Sequence, residues 1–397
     1  MEEKLLEKVL SLREQSVELL KKYHVDKMLF FLAFMVYIVG HFLSGTMYIY
    51  ILDKSLPYTI WMVACVLALL KIFLVNVYSD WRDLCLVVSI GLIVWASSLN
   101  TNTWDMIYYY VMIVAAQDIN FKSIVKVFLA TVVTMLIFTI VSAKLGVIAG
   151  VTNMRLGSSD LRYALGTVYP TDLAARLFYI ELFYIALRKF KLNLPEYITC
   201  LSLTVFTYIV TDTKLDVLLM LLLILAVYLK DAIILLLEKI QNLGVTLILG
   251  SMVAMIIILT YGYSSKMWIL NKINNILSGR LSVGHIAFEN FNVPFFGQII
   301  EQTGNGGLHH GVYSYFFIDC SYIRVLMMNG LFSFLILVAF LVILSNKFLN
   351  EKAYSLEIAL LFVALSSIID QHLLEISYNC LLLAMFADIS YFKNELE

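Results

Sequence analysis

The stretch SIVKVFLATVVTMLIFTIVS, residues 123–142, contains a single charged side chain, Lys126. As an α-helix it would be about 30 Å long, which matches the hydrocarbon core of a bilayer. A helix on a soluble core would instead show a polar face toward water. This stretch therefore predicts a transmembrane helix.

Similar apolar runs recur on both sides of it. The predicted runs are 28–47, 57–75, 84–99, 105–117, 123–142, 172–188, 196–211, 215–229, 244–262, 323–346, 355–369 and 373–391. The chain is 61% hydrophobic with a mean hydropathy of +0.87, whereas soluble domains are about 45–50% apolar. We predict an all-α polytopic membrane protein with about 12 transmembrane helices, forming a single integral membrane domain over residues 1–397.

Cationic residues predict the orientation of these helices. Residues 1–27 are charged and amphipathic, and the connections after even-numbered runs hold residues such as Arg82, Lys122, Arg188 and Lys347. Short connections rich in Lys and Arg face the cytoplasm. We predict that both termini are cytoplasmic, in a bacterial cytoplasmic membrane, and that residues 1–27 lie along its inner surface.

Two connections are too long to be simple turns. Residues 143–171 and residues 263–322 both fall on the extracytoplasmic side of the predicted topology, the second between the ninth and tenth helices. Long connections between packed elements are often functional. Within the second, residues 266–290 predict a helix lying along the membrane surface.

Six cations at the extracytoplasmic surface run against the orientation rule. They are Arg155, Arg162, Arg176, Lys214, Arg280 and Arg324. Guanidinium keeps its charge and donates two parallel hydrogen bonds to phosphate, so a converging set predicts an anionic ligand. Each arginine taken singly also fits a structural role. Arg176 lies inside a predicted helix and needs a partner, for which Asp172 and Glu181 are the local candidates.

The order of these parts resembles the Wzy-type polysaccharide polymerase and O-antigen ligase superfamily over roughly residues 120–345. The matching parts are the arginine-bearing loop before Pro170, the hairpin Thr211-Asp212-Thr213-Lys214, the loop opening Gly279-Arg280, the triplet Phe295-Phe296-Gly297, the stretch Asp319-Cys320-Ser321-Tyr322 and the triplet Met328-Asn329-Gly330. Two departures stand out. The Arg155-x10-Gly166 spacing occurs once, because Phe291 follows Arg280 at that distance, and Lys214 stands where the family more often has arginine.

The resemblance implies a GT-C-like membrane fold and metal-independent glycosyl transfer that builds capsular polysaccharide, exopolysaccharide or O-antigen. The implied donor is an oligosaccharide on undecaprenyl pyrophosphate, and the acceptor is a sugar hydroxyl of a second lipid-linked repeat. Fixed cations would stabilise the pyrophosphate leaving group, which assigns the six cations to pyrophosphate binding. The expected partners are this lipid-linked oligosaccharide, membrane lipids, a flippase and a chain-length regulator.

The acceptor hydroxyl needs a group that takes its proton. His309 and His310 lie in a glycine-rich stretch of the second loop, and Asp319 precedes the tenth helix. Imidazole ionises near neutral pH, which suits a general base. We therefore predict His309, His310 and Asp319 as catalytic candidates. A further polar group, interpreted as a solvated turn of the last hairpin, comprises Asp370, His372 and Glu375.

Several classes of protein are excluded or left as alternatives. No Asp-x-Asp motif, P-loop, Rossmann fingerprint or Cys/His metal spacing occurs, so we expect no metal, no cofactor and no nucleotide-sugar donor. The net charge of −1 gives no indication of nucleic-acid binding. A ligase-like glycan transferase remains open. So does a flippase or other transporter, which predicts internal pseudosymmetry, broken helices and mid-membrane charges.

Overall fold

The structure, a computed structural model, describes residues 13–53, 55–78, 80–154, 161–308 and 315–394. It is mostly helical, with one short antiparallel pair of strands. In chain order the elements are α1 (Val25–Ser44), α2 (Leu56–Val75), α3 (Trp81–Thr101), α4 (Asp105–Ala115), α5 (Phe121–Lys144), β1 (Thr152–Met154), β2 (Leu161–Tyr163), α6 (Pro170–Leu187), α7 (Leu194–Thr211), α8 (Lys214–Tyr228), α9 (Lys230–Tyr261), α10 (Trp268–Ile276), α11 (Arg280–Asn290), α12 (Ser321–Arg324), α13 (Leu331–Asn350) and α14 (Tyr354–Ser366).

Within the described residues, seven helices are long and apolar enough to cross a membrane. They are α1, α2, α3, α5, α7, α9 and α13. The apolar helices α4 and α14 are shorter, and the 18-residue helix α6 carries Asp172, Arg176 and Glu181. The prediction of an all-helical polytopic membrane protein is confirmed at this level, whereas the count of twelve helices is not.

The last predicted helix, 373–391, is wrong. Its apolar residues form two short 3₁₀ turns, Leu381–Met385 and Ser390–Phe392. Polar side chains bind the backbone here in place of helical hydrogen bonds, because Asn379 donates to the carbonyl of Leu373 at 2.7 Å and accepts from the amide of Leu381 at 3.1 Å. The run is buried by neighbouring helices, so hydropathy alone could not distinguish it from a span.

The described residues of both long connections lie at one end of the bundle, which we call the loop end. Thr46, after α1, forms a β-bridge with Thr167 in the first connection. The amide of Gly307, in the second connection, donates to the carbonyl of Val168 at 2.8 Å. The predicted surface helix 266–290 is present as two helices, α10 and α11. The two connections and the end of α1 therefore pack together and form one surface of the protein.

The opposite end of the bundle holds the start of α1 and residues 388–394, the last that the structure describes. Residues 13–22 are helical, and Arg13 donates to the carbonyl of Asn76 at 3.1 Å. Lys21 forms an ion pair with Asp118 at 3.0 Å. This N-terminal segment is thus fastened to the helix connections beneath it.

Gly330 joins the π-helical turn Val325–Asn329 to α13 with a φ of 92°. A Cβ at this position would lie 2.5 Å from the amide nitrogen of Gly297 and 2.7 Å from the carbonyl oxygen of Phe295. We expect Gly330→Ala to lower the free energy of unfolding by about 1–3 kcal/mol because of backbone strain. The collision of the added Cβ with fixed backbone atoms should lower it by a similar amount again. Thermal unfolding in detergent measures the loss.

The matched control is Gly146→Ala. Gly146 also has a positive φ, 76°, but no atom of the described residues lies within 4 Å of the Cβ that alanine would add. This variant therefore carries the strain without the collision. An equal loss of stability in both variants would contradict the close approach of the second long connection to α13.

Candidate anion site at the loop end

Arg176 is the most deeply buried cation of the site. Helix α6 begins with Pro170, whose fixed φ suits the first turn, and this start places Arg176 inside the bundle with 1% of its surface exposed. The guanidinium carbon lies 4.0 Å from the ring centroid of Phe42 and 4.0 Å from that of Tyr378. Cation–π attraction of this kind reaches about 2 kcal/mol when the groups are desolvated.

The guanidinium of Arg176 has no hydrogen-bond partner on any of its three nitrogens within the described part of the chain. The expected partners do not pair with it. Glu181 lies five residues on, and therefore on another face of the helix, and its own carboxylate oxygens are also without partners among these residues. Asp172 interacts with Arg176 electrostatically, but its carboxylate accepts no hydrogen bond from the guanidinium. A buried charge without a partner costs several kcal/mol, so this arrangement indicates a place for an anion.

Besides Arg176, the ring of Tyr378 contacts an aromatic side chain. The imidazole of His372 stacks on it with ring centroids 3.7 Å apart and an interplanar angle of 10°. Two groups this close to one ring centroid cannot share a face, so Arg176 and His372 lie on opposite faces of Tyr378. We call this series, Phe42, Arg176, Tyr378 and His372, the Tyr378 stack.

The interpretation of residues 370–375 as a solvated turn is wrong. Asp370 is 6% exposed and His372 is 4% exposed. The connection 367–380 runs between helices, and Ser321 donates from its hydroxyl to the carbonyl of Asp370. Its polar composition is typical of a surface turn. The surrounding helices nevertheless bury it, because other protein groups form hydrogen bonds with its backbone in place of water.

His372 and Glu375 form an ion pair, with imidazole Nδ1 2.8 Å from carboxylate Oε2. Burial opposes ionisation of Glu375, but His372, His41 and Arg324 outweigh it and lower the pKa of Glu375 to about 2. Burial likewise opposes the charge on His372, yet Glu375 raises its pKa above the usual value. Each charge therefore stabilises the other in the interior.

Arg280 follows Gly279, which has a φ of 89°, and is already paired with acidic side chains. Its guanidinium lies 3.7 Å from Asp370 and 3.9 Å from Asp319, and Nε donates to the carbonyl of Ile369. Burial opposes its charge, but the two carboxylates raise the pKa of Arg280. Arg280 thus fastens the second long connection to the segment 367–380, and the predicted catalytic Asp319 belongs to this junction.

The other predicted cations differ in their surroundings. Arg162 is 4% exposed and donates from Nε to the carbonyl of Thr211 at 2.7 Å. Arg324 donates to the side-chain oxygen of Gln302 at 3.0 Å. Lys214, at the start of α8, is exposed. The structure brings Arg176, Arg280 and Arg324 to the segment 367–380, and leaves Lys214 at the surface.

Three predicted site residues, Arg155, His309 and His310, lie outside the described residues. Gly166, which closes the Arg155-x10-Gly166 spacing, has a φ of 93°, and an added Cβ would lie 3.0 Å from the carbonyl oxygen of Thr139. Its own carbonyl accepts from the amide of Met47 at 2.9 Å. This glycine lets the first connection pass α5 and hold the end of α1, where Phe42 begins the Tyr378 stack.

Sequence reasoning interpreted His372 and Glu375 as part of a solvated turn and did not single out Tyr378, although a signal for a functional role was present. Within an apolar region extending from 355 to 391, three ionisable residues fall in six positions, at 370, 372 and 375. Ionisable residues inside predicted spans are rare and often functional. The stacking of Tyr378 with Arg176 had no local signal, because the two residues are far apart in the sequence.

Comparison with known proteins gives no relative from which a role for these residues could be taken. No family model, no curated protein and no solved structure matches the chain. Within the described residues, no cluster of three or more His, Cys, Asp and Glu side chains is placed to hold a metal ion. The possible chemistry of the site therefore has to be inferred from the site itself. The site places a buried guanidinium without a hydrogen-bond partner among the described residues, which suits an anion, beside an imidazole–carboxylate pair.

Proposed function

We propose that this chain is a Wzy-type polysaccharide polymerase, a glycosyltransferase that joins undecaprenyl-pyrophosphate-linked oligosaccharide repeats. One observation carries the proposal: the buried Arg176 guanidinium, held between Phe42 and Tyr378, has no hydrogen-bond partner among the described residues. A bound pyrophosphate would supply the anionic hydrogen-bond acceptor for this cation. The order of motifs over residues 120–345 supports the same function.

In the proposed reaction, an acceptor hydroxyl oxygen attacks the anomeric carbon of the donor sugar. The bond from that carbon to the pyrophosphate oxygen breaks, and its electron pair stays on the pyrophosphate. Arg176 stabilises the charge that develops there, and in a buried site this interaction is stronger than in water. The hydroxyl proton passes to a base, and the products are an elongated lipid-linked glycan and a lipid pyrophosphate.

Reconstitution tests the function directly. The purified protein in lipid vesicles, supplied with lipid-linked repeats alone, is expected to produce a ladder of lengthening glycans. Transfer of finished glycan only to a different lipid acceptor would favour the ligase-like alternative. Absence of any transfer in the presence of both acceptors would refute glycosyl transfer.

The proposed donor requires the loop end to lie outside the cytoplasmic membrane and both termini inside. On a background without the five native cysteines, a cysteine at position 305 is expected to react with a membrane-impermeant maleimide in intact cells. A cysteine at position 351, at the opposite end, is expected to react only after permeabilisation. The reverse pattern would put the site in the cytoplasm and contradict the proposed donor.

A lipid-linked oligosaccharide transporter is a second candidate, favoured by a separate observation. Glu181 in α6 and Glu357 in α14 are buried within helices, at 2% and 0% exposure. Carboxyl groups inside a membrane protein often belong to proton pathways. A vesicle assay of lipid flipping distinguishes the candidates: flipping that depends on Glu181 and occurs without glycan growth would favour transport.

A further inference from the structure

The direction of the hydrogen bond between His372 and Glu375 is fixed by chemistry. An ionised carboxylate only accepts hydrogen bonds, so the 2.8 Å contact requires a proton on Nδ1 of His372. When the ring is neutral, Nε2 then carries the lone pair. Within the described residues no hydrogen bond is made to Nε2. The geometry therefore leaves one basic nitrogen, in a known orientation, on a ring that is 4% exposed.

The ring is also held against the anion site. Stacking on Tyr378 at 3.7 Å prevents the imidazole from tilting, and the opposite face of Tyr378 carries Arg176. A base and an anion-binding cation are thus separated by one aromatic ring. Two acidic side chains also lie nearby, and burial raises the pKa of Asp319 and of Asp370. Both carboxyls face Arg280, at 3.9 and 3.7 Å, whereas Nε2 of His372 makes no such contact within the described residues.

We propose that His372 is the general base that takes the proton of the acceptor hydroxyl through Nε2, and that Glu375 positions and charges it. This inference rests on the proposed glycosyl transfer. As the acceptor oxygen bonds to the anomeric carbon, its proton moves to Nε2, and the resulting imidazolium is stabilised by the carboxylate of Glu375. The proton is released to solvent after the lipid pyrophosphate leaves.

The charged neighbours determine the dependence on pH. The titratable and charged groups that face His372 are Glu375, Asp370 and Tyr378 from its own segment, Asp172 and Arg176 from α6, Asp319 from the segment before α12, and His41 from α1. The net effect raises the pKa of His372. A base acts only when unprotonated, so the rate should increase as the pH rises through this pKa. A cationic His372 that merely bound pyrophosphate would give the opposite slope.

The test measures polymerisation of lipid-linked repeats by the purified protein across about pH 5–9, which brackets the ordinary histidine pKa. His372→Ala is expected to lower kcat about 10²- to 10⁴-fold with little change in the KM for donor. Glu375→Gln removes the charge that raises the pKa of His372, so the rising limb of its pH profile should move to lower pH. His285→Ala is the matched control, because His285 pairs with Glu289 at 3.4 Å on α11, away from the Tyr378 stack, and should leave the rate unchanged.

Each outcome supports or overturns the assignment. A wild-type rate in His372→Ala, or an unmoved pH profile in Glu375→Gln, would overturn the base while leaving glycosyl transfer intact. A rate that falls with rising pH would also overturn it. If His372→Ala does not fold, Glu375→Gln decides through its pH profile. If the wild-type protein transfers no sugar, the proposed function fails, and the base with it.

Discussion

Replacing Arg176 by methionine is expected to abolish polymer formation without lowering the unfolding temperature. Methionine fills much of the same volume between Phe42 and Tyr378, while the unpaired buried charge disappears. Replacing a buried ion pair by apolar side chains is often neutral or stabilising by about 1–4 kcal/mol. We expect the desolvation cost that is removed with the Arg176 charge to offset the cation–π attraction that is lost. A residue retained for ligand binding at a cost in stability should show this combination.

Two measurements check the expectation for Arg176. Glycans of cells that carry only the variant should contain single repeats and no ladder. Thermal unfolding in detergent, with and without inorganic pyrophosphate, should show ligand stabilisation of the wild type and none of the variant. Lys144→Met, an exposed cation at the loop end, serves as the control and should behave as the wild type. Normal polymer from a destabilised Arg176→Met protein would instead show that the arginine is structural.

Arg280→Ala is expected to destabilise the fold by about 3–5 kcal/mol, because it leaves the buried Asp370 without its cation. The lost ion pair also joins the second long connection to the segment 367–380. We therefore expect reduced abundance in the membrane and a lower unfolding temperature, in contrast to Arg176→Met. The double variant Arg280→Met with Asp370→Asn should recover part of the stability, since no uncompensated charge remains.

This comparison separates two roles for Arg280. The family resemblance assigns it to pyrophosphate, whereas its contacts with Asp319 and Asp370 indicate a structural junction. A stable Arg280→Ala protein that makes no polymer would support the ligand-binding role. Loss of folding that the double variant partly repairs would support the junction.

The sequence by itself determined the membrane-spanning helices of the middle of the chain. The run predicted at 123–142 is α5, Phe121–Lys144, and the run at 196–211 is α7, Leu194–Thr211. Capping residues set these boundaries locally: the side chain of Asn120 accepts from the backbone amide of Ser123, and Asn193 forms a capping box with Glu196. Hydropathy and capping act over a few residues, so they can be read along the chain.

The tertiary structure alone decided which charged groups are paired. Nothing near Arg176 in the sequence showed that Phe42 and Tyr378 would enclose it, or that neither Asp172 nor Glu181 would form a hydrogen bond with it. Nor could hydropathy show that the apolar run 373–391 would not form one helix, or that His372 and Glu375 at its start would be buried. Pairing and burial depend on contacts between α1, α6 and the segment 367–380. The first and last of these are more than about 300 residues apart in the sequence, so only the packing of the whole bundle brings them together.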